Sequence, residues 1–248
     1  MSGHSKWSTI KRKKAVVDAK RGRVFTRLIK EVTVAAREGG GDPESNPRLR
    51  TAIDNAKAEN MPADNIEKAI QRGTGELPGV TYEDVTYEGY GPGGVAILVT
   101  ALTDNKNRTV AELRHLFTKH GGNLGAPNSV AWMFDRKGQI TIDASAHDEE
   151  TLLLEAAEAG AEDVVAEEDV LKVITPFADF HPVQQRLRAR GIQFLGAEPV
   201  MVPKSTVAVE EKEAERLLKL LEVLEDHDDV QNIAANFDID EAVLQRAS

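Results

Sequence analysis

The chain has 248 residues, 41% hydrophobic and 29% charged, with no cysteine and a formal charge of −10. That length can bury a substantial core, divided over two or three domains. The lack of cysteine excludes disulfides, thiolate metal sites and cysteine nucleophiles, as suits a reducing cytosol, and no run approaches the ~18 apolar residues of a membrane span.

The charge is unevenly spread. Residues 1–75 carry 16 Lys/Arg against 9 Asp/Glu, whereas the remainder carries 15 against 32. A polyanion is attracted to only the first of these parts. Its opening 30 residues hold ten basic side chains and a single acid, Asp18. Lys6 and Trp7 come first, then the clusters Lys11, Arg12, Lys13, Lys14 and Lys20, Arg21, Arg23, with Arg27 and Lys30 beyond. Trp7 could stack on a base. A solubilising basic tail is the plain alternative, but such a tail needs neither Trp7 nor a direct run into an amphipathic helix. A mitochondrial transit peptide would also be Arg-rich and acid-poor. Its charges would be spaced around a presequence helix, whereas these are clustered.

From Asp18 to Glu38, the apolar residues Val24, Phe25, Leu28, Ile29, Val32, Ala35 and Ala36 recur at steps of three and four. They predict a helix, ended by Gly39-Gly40-Gly41. Asn46-Pro47 reads as N-cap and first residue of a second helix, with Leu49, Ile53 and Ala56 inward and an end near Asn60. Pro62 starts a third, with Ile66, Ala69 and Ile70 inward and Gly73 as its stop. The second and third helices invite a helix-turn-helix reading, in which the N-terminal residues of the recognition helix meet base edges. Asp64 and Glu67 occupy that position, with Lys68 and Arg72 only later. DNA would repel those carboxylates, so two packed helices of a bundle fit better.

"VTYEGYGPGGVAILVTAL" then reads as strand, Gly-rich turn and strand. A helix with Val110, Leu113 and Phe117 on its apolar face ends at Gly121-Gly122. Strand "GQITID", a helix near Asp148 to Ala159, strands around Val164 and "VLKVIT", a helix opened by Thr175-Pro176, and strand "AEPVMVP" follow. That order, β-α-β-β-α-β, is the ferredoxin-like one. A helix from Glu210 to Asp226 and a last strand in "VQNIAANF" complete the series. If residues 137–203 form a closed unit, the elements flanking it must complete each other. The expected fold is α+β and multidomain. It comprises a basic arm and three-helix bundle (1–75), a discontinuous α+β domain (81–136 with 204–248) and an inserted ferredoxin-like domain (137–203).

Gly89, Gly91 and Gly94 satisfy GxGxxG, but that pattern binds a dinucleotide only between a strand and a helix N-terminus. Here a strand follows, so a hairpin turn is expected. None of the six histidines lies in HExxH and there is no GxSxG elbow, so neither a metal, a cofactor nor catalysis is expected. Asn105, Lys106, Asn107 and Arg108 leave a strand and enter a helix, and form an auxiliary candidate for phosphate or base contact. A loop with a helix cap accounts for them nearly as well.

"GHSKW", "DAKRG", "GGGDPESNPRLR", "YEGYGPGG", "DNKNRT", "GGNLG" and "AGAEDV" stand in the order seen in the YebC family, which the chain resembles along essentially its whole length. That family includes the mitochondrial translational activator of cytochrome oxidase. The resemblance implies a helical first domain and two α+β domains, the third inserted into the second. It also implies a non-enzymatic, nucleic-acid-binding regulator, cytoplasmic and without a cofactor. Bacterial members carry the label of DNA-binding transcriptional regulators, and others look like translation factors acting on the ribosome and its RNA. The expectation is a monomer that binds ribosomal RNA or DNA through the basic arm, with a ribosome-associated translation role ahead of the transcriptional one.

Overall fold

The computed structural model describes residues 18–167 and 169–239, with side chains described from residue 22 onward. Among the described residues three helices come first: α1 (Asp18–Gly39), α2 (Pro47–Ala58) and α3 (Ala63–Thr74). β1 (Glu83–Tyr90), β2 (Ala96–Thr103), α4 (Lys106–Lys119), β3 (Asn123–Leu124) and β4 (Phe134–Asp143) follow. Next are α5 (Glu149–Ala159), β5 (Asp163–Glu167), β6 (Val170–Pro176), α6 (Phe180–Ala189) and β7 (Gly196–Pro203). The described chain closes with β8 (Val207–Ala208), α7 (Glu211–Glu225), β9 (Val230–Ala235) and β10 (Phe237–Asp238).

Local chemistry sets the helix ends. α1 stops where Gly40 takes a φ of +88°, a left-handed conformation that glycine adopts without a Cβ penalty. Asn46 then joins two helix termini. Its Oδ1 accepts from the Leu49 N–H at 3.1 Å, capping α2, while its Nδ2 donates to the carbonyls of Ala35 at 2.8 Å and Gly40 at 2.9 Å. A helix leaves its last carbonyls without partners, and Asn46 supplies one. α3 runs through Gly73, the expected stop, and ends at Gly75, whose φ is +85°. Gly73 serves packing instead, because a Cβ there would lie 2.4 Å from the Thr33 carbonyl. It lets α3 approach α1 closely.

The chain builds two compact units. The first contains residues 80–135 and 202–239 together with α1 up to Lys30. Its sheet has the order β3-β1-β2-β9, with β1 and β2 antiparallel from Glu83↔Thr103 to Tyr90↔Ala96. β2 reads as a nearly continuous apolar run because almost all of it is buried. Ile97 and Val99 pack with Leu113 and Phe117 of α4 and with Leu217 and Leu221 of α7. Each fully buried side chain of that size contributes roughly 1.5–3 kcal/mol. β8 and β10 form a short parallel pair.

The second unit contains residues 31–79 and 136–201. Its sheet order is β5-β6-β4-β7, with α5 and α6 in the connections, which is the strand order of a split β-α-β motif. Ile140, Ile142 and Val173 pack against Leu152, Phe180 and Leu187. In the same unit α2 is tied to this motif. The Asn55 amide donates to the Ala197 carbonyl at 2.7 Å and accepts from the Ala197 N–H at 3.0 Å. Arg188 also pairs with Asp54 at 2.5 Å.

Candidate nucleic-acid interface

Arg23, Arg27 and Lys30 recur at steps of four and three, so they share one face of α1. That face meets the C-terminal end of α7. A helix C-terminus carries partial negative charge and unpartnered carbonyls, and α7 has no basic residue of its own in its last turn. Arg27 supplies a partner by donating to the Glu225 carbonyl. Arg23 lies 3.1 Å from the Asp226 carboxylate. Burial lowers the pKa of the Arg27 guanidinium, and the negative charges of Glu225, Asp226 and Asp228 oppose that shift.

Lys30 reaches furthest into the fold and is only 6% exposed. Its Nζ donates to Asp229 Oδ1 at 2.8 Å and to the carbonyls of Asp228 at 3.0 Å and Leu102 at 3.3 Å. The other Asp229 oxygen accepts from Arg108 at 2.7 Å and from the Thr109 hydroxyl at 2.8 Å. Burial alone would push the Asp229 carboxyl up. The hydrogen bonds from Lys30, Arg108 and Thr109 outweigh burial and hold it well below the usual carboxylate range. Asp229 and then Asp104, in return, push Arg108 up from its ordinary value. One carboxylate thus joins α1, α4 and the turn before β9.

Beside this network an open cleft of about 650 Å³ is lined by Lys30 and Arg108 on one hand and by Asp104, Glu112, Asp226, Asp228 and Asp229 on the other. Five carboxylates against two cations would repel phosphate. His227 also lines the cleft. Its Nε2 lies 2.9 Å from Glu112 and its Nδ1 accepts the Asp229 N–H at 3.1 Å. Both ring nitrogens are therefore engaged, and neither is open to a reacting group. Among the described residues no group of three or more His, Cys, Asp or Glu could hold a metal ion. No described helix is long and apolar enough to cross a membrane.

Of the residues singled out in the sequence, Lys6, Trp7, Lys11, Arg12, Lys13 and Lys14 lie outside the described residues. Lys20 and Arg21 lie in the first turn of α1, and their side chains are outside what is described. Asn105 caps α4 by accepting from the Arg108 N–H at 3.1 Å. Lys106 pairs with Glu83 at 2.6 Å, Arg108 pairs with Asp104 and Asp229, and Asn107 is exposed. The segment "GYGPGG" turns the β1–β2 hairpin: the Gly91 N–H donates to the Val95 carbonyl at 2.8 Å, and a strand follows. Lys30, Asp229 and the exposed Trp132 were not singled out as site residues from the sequence. Only the charge of Lys30 gave any signal there.

The two units define a mixed helix-and-sheet, multidomain protein. Residues 5–76 match the family model described as the TACO1/YebC protein N-terminal domain, and residues 82–237 match that of the TACO1/YebC second and third domain. The chain belongs to the TACO1/YebC family. It is 57% identical over 249 residues to a protein of Dictyoglomus turgidum, and equally so to one of Syntrophus aciditrophicus, with 100% of each chain covered. Both relatives are named probable transcriptional regulatory proteins. Among solved structures, a conserved hypothetical protein from Aquifex aeolicus matches with a TM-score of 0.87 and 52% identity, covering 92% of this chain and 94% of that one.

Proposed function

We propose that this chain is a regulator of gene expression that binds nucleic acid through its basic N-terminal segment and catalyses no reaction. The partition of charge carries the reading: residues 1–75 hold 16 basic and 9 acidic side chains in a protein whose net charge is −10. A phosphate backbone is drawn to that segment and repelled by the rest. The names of the relatives, probable transcriptional regulatory proteins, support transcription as the process.

A second reading, a ribosome-associated translation factor that binds ribosomal RNA, is favoured by α3. Its first turn presents Asp64, whose exposed carboxylate accepts from Lys68 at 2.7 Å. A helix so charged is poorly suited to the major groove, whereas a short basic arm with one tryptophan suits structured RNA with unstacked bases.

The test is equilibrium binding of the full chain to duplex DNA and to ribosomes at several salt concentrations. Neutralising about six phosphates gives a slope of log K against log salt of about −4 to −5. A slope near zero refutes binding through the arm. A duplex site bound at least ~10³ times more tightly than random DNA decides for transcription. Salt-sensitive co-sedimentation with ribosomes, without such a site, decides for translation.

A further inference from the structure

In the second unit a small niche opens between α2 and α6. Arg50 and Thr51 of α2 line it, with His181, Gln184 and Arg188 of α6. It offers about 10 Å³, room for a single oxygen-sized atom. One of its walls carries an unmet group. Gln184 is only 2% exposed, its Oε1 accepts from the Thr51 hydroxyl at 3.3 Å, and its Nε2 has no hydrogen-bond partner. A buried donor left so is costly, and a water, an ion or a ligand is the usual remedy.

The surrounding chemistry chooses among those. No carboxylate is among the described residues that line the niche. Arg50 is held by neutral acceptors: its Nε donates to the Pro43 carbonyl at 3.0 Å and its Nη2 to the Glu44 carbonyl at 2.7 Å. The Glu44 carboxylate stands 3.8 Å away on a side chain that is 88% exposed, where solvent weakens the pairing. The charge of Arg50 is therefore largely uncompensated. Arg188 is paired with Asp54 through one Nη, so it adds N–H donors rather than net charge. Burial and the positive charge of Arg50 lower the His181 pKa, which leaves a neutral ring at pH 7. α6 is also an exception within the acidic remainder of the chain: residues 180–192 hold Arg186, Arg188 and Arg190 and no Asp or Glu. Water would bring two protons that need acceptors. An anionic oxygen only accepts, and it also answers the charge of Arg50.

We propose that this niche receives one oxygen of a phosphate group, with the Gln184 amide donating to it and Arg50 supplying the charge. The phosphate belongs to a nucleic-acid backbone or is free in solution, and the first source rests on the nucleic-acid reading above. Thermal unfolding of the full chain in inorganic phosphate, against chloride at equal ionic strength, tests the site. Phosphate at ten times its Kd should raise Tm by about 3 to 6 °C. Gln184→Glu, nearly isosteric, places an anionic oxygen in the niche itself. It should keep the Tm of the parent chain or raise it, and abolish the response to phosphate. Arg50→Gln should abolish that response as well. An equal response in the parent chain and in Gln184→Glu reports general salt exclusion and refutes the site, as does a Gln184→Glu protein whose Tm falls, the result expected of a niche built for water. Salt titrations of duplex DNA and ribosome binding then separate the sources. A slope of log K against log salt shallower by about 0.7 to 0.9 in Gln184→Glu supports a backbone phosphate. An unchanged slope beside a lost phosphate response overturns that source and supports free phosphate. A chain that binds no nucleic acid yet responds to phosphate through Gln184 keeps the site and loses the reading above.

Discussion

Asp229→Ala tests the network beneath α1 most directly. Asp229 is 3% exposed and Lys30 6%, and the pair is 2.8 Å apart. Removing the carboxylate leaves the Lys30 ammonium buried with two carbonyls, those of Asp228 and Leu102, as its remaining hydrogen-bond acceptors. It also leaves the Thr109 hydroxyl without that acceptor and Arg108 paired with Asp104 alone. Breaking a buried pair from one side costs about 3–5 kcal/mol. For a chain of this size that lowers Tm by roughly 6 to 20 °C. Thermal unfolding followed by circular dichroism at pH 7 measures it. Replacing both partners, Lys30→Met with Asp229→Leu, should recover a large part of the loss, because no buried charge is then stranded. The pH dependence has a definite sign. The Asp229 carboxyl is depressed in the folded state, so its contribution is fully present above the unfolded carboxylate pKa of about 4 and is lost as pH falls toward the folded value. Asp229→Asn should accordingly flatten the acid limb of the stability profile. A loss below about 1 kcal/mol in Asp229→Ala, or an unchanged acid limb in Asp229→Asn, would refute the reasoning.

Other substitutions probe the second unit. Asn55→Ala removes both hydrogen bonds to Ala197 and should cost about 1–3 kcal/mol, read from a denaturant midpoint with unchanged m. Gly73→Ala places a Cβ 2.4 Å from the Thr33 carbonyl and 2.7 Å from the Ala36 Cβ, so overpacking should cost about 1–3 kcal/mol although alanine is the better helix former. A stabilised Gly73→Ala protein would show that the two helices can separate without loss.

Short-range chemistry made much of the fold legible. Asn46 and Asp148 cap their helices as residue type and position suggest, and the alternation of Gly-rich turns with apolar runs marks the β1–β2 hairpin. What misled was punctuation that depends on backbone angle or on a distant neighbour. Gly73 looks like a stop, yet the left-handed residue is Gly75. Thr175-Pro176 looks like a helix start. The pairing of β6 with β4 instead extends through Lys137↔Pro176, and α6 begins at Phe180 after a single tight turn. The two-residue strands β8 and β10 have no periodicity to detect. At the site, the basic segment is visible in composition because charge needs no neighbours to be counted. The Asp229 hub is not, since its partners Lys30 and Arg108 are 199 and 121 residues away in sequence. Nor can a sequence tell the exposed Trp132 from a core tryptophan.

The same network divides the ten basic residues of the opening segment into two kinds. Arg23, Arg27 and Lys30 are turned to the acidic end of α7 and the Asp229 hub. If they are cross-links of the fold, they are not the cations that release counterions on binding. The polyanion surface then lies in Lys6, the Lys11–Lys14 cluster, Lys20 and Arg21, enough charge for the about six phosphates proposed above. Measured slopes separate the two kinds. Lys13→Gln with Lys14→Gln should make the slope of log K against log salt shallower by about 1.5 to 2 while leaving Tm nearly unchanged. Arg27→Gln should do the reverse: Tm falls because the guanidinium's hydrogen bond to the Glu225 carbonyl is removed, and the slope stays as it was. Equilibrium titration beside thermal unfolding of the same samples gives both quantities. A slope that changes by a full contact in Arg27→Gln would mean that α1 releases α7 when nucleic acid binds, and the assignment of that face to the fold would fail.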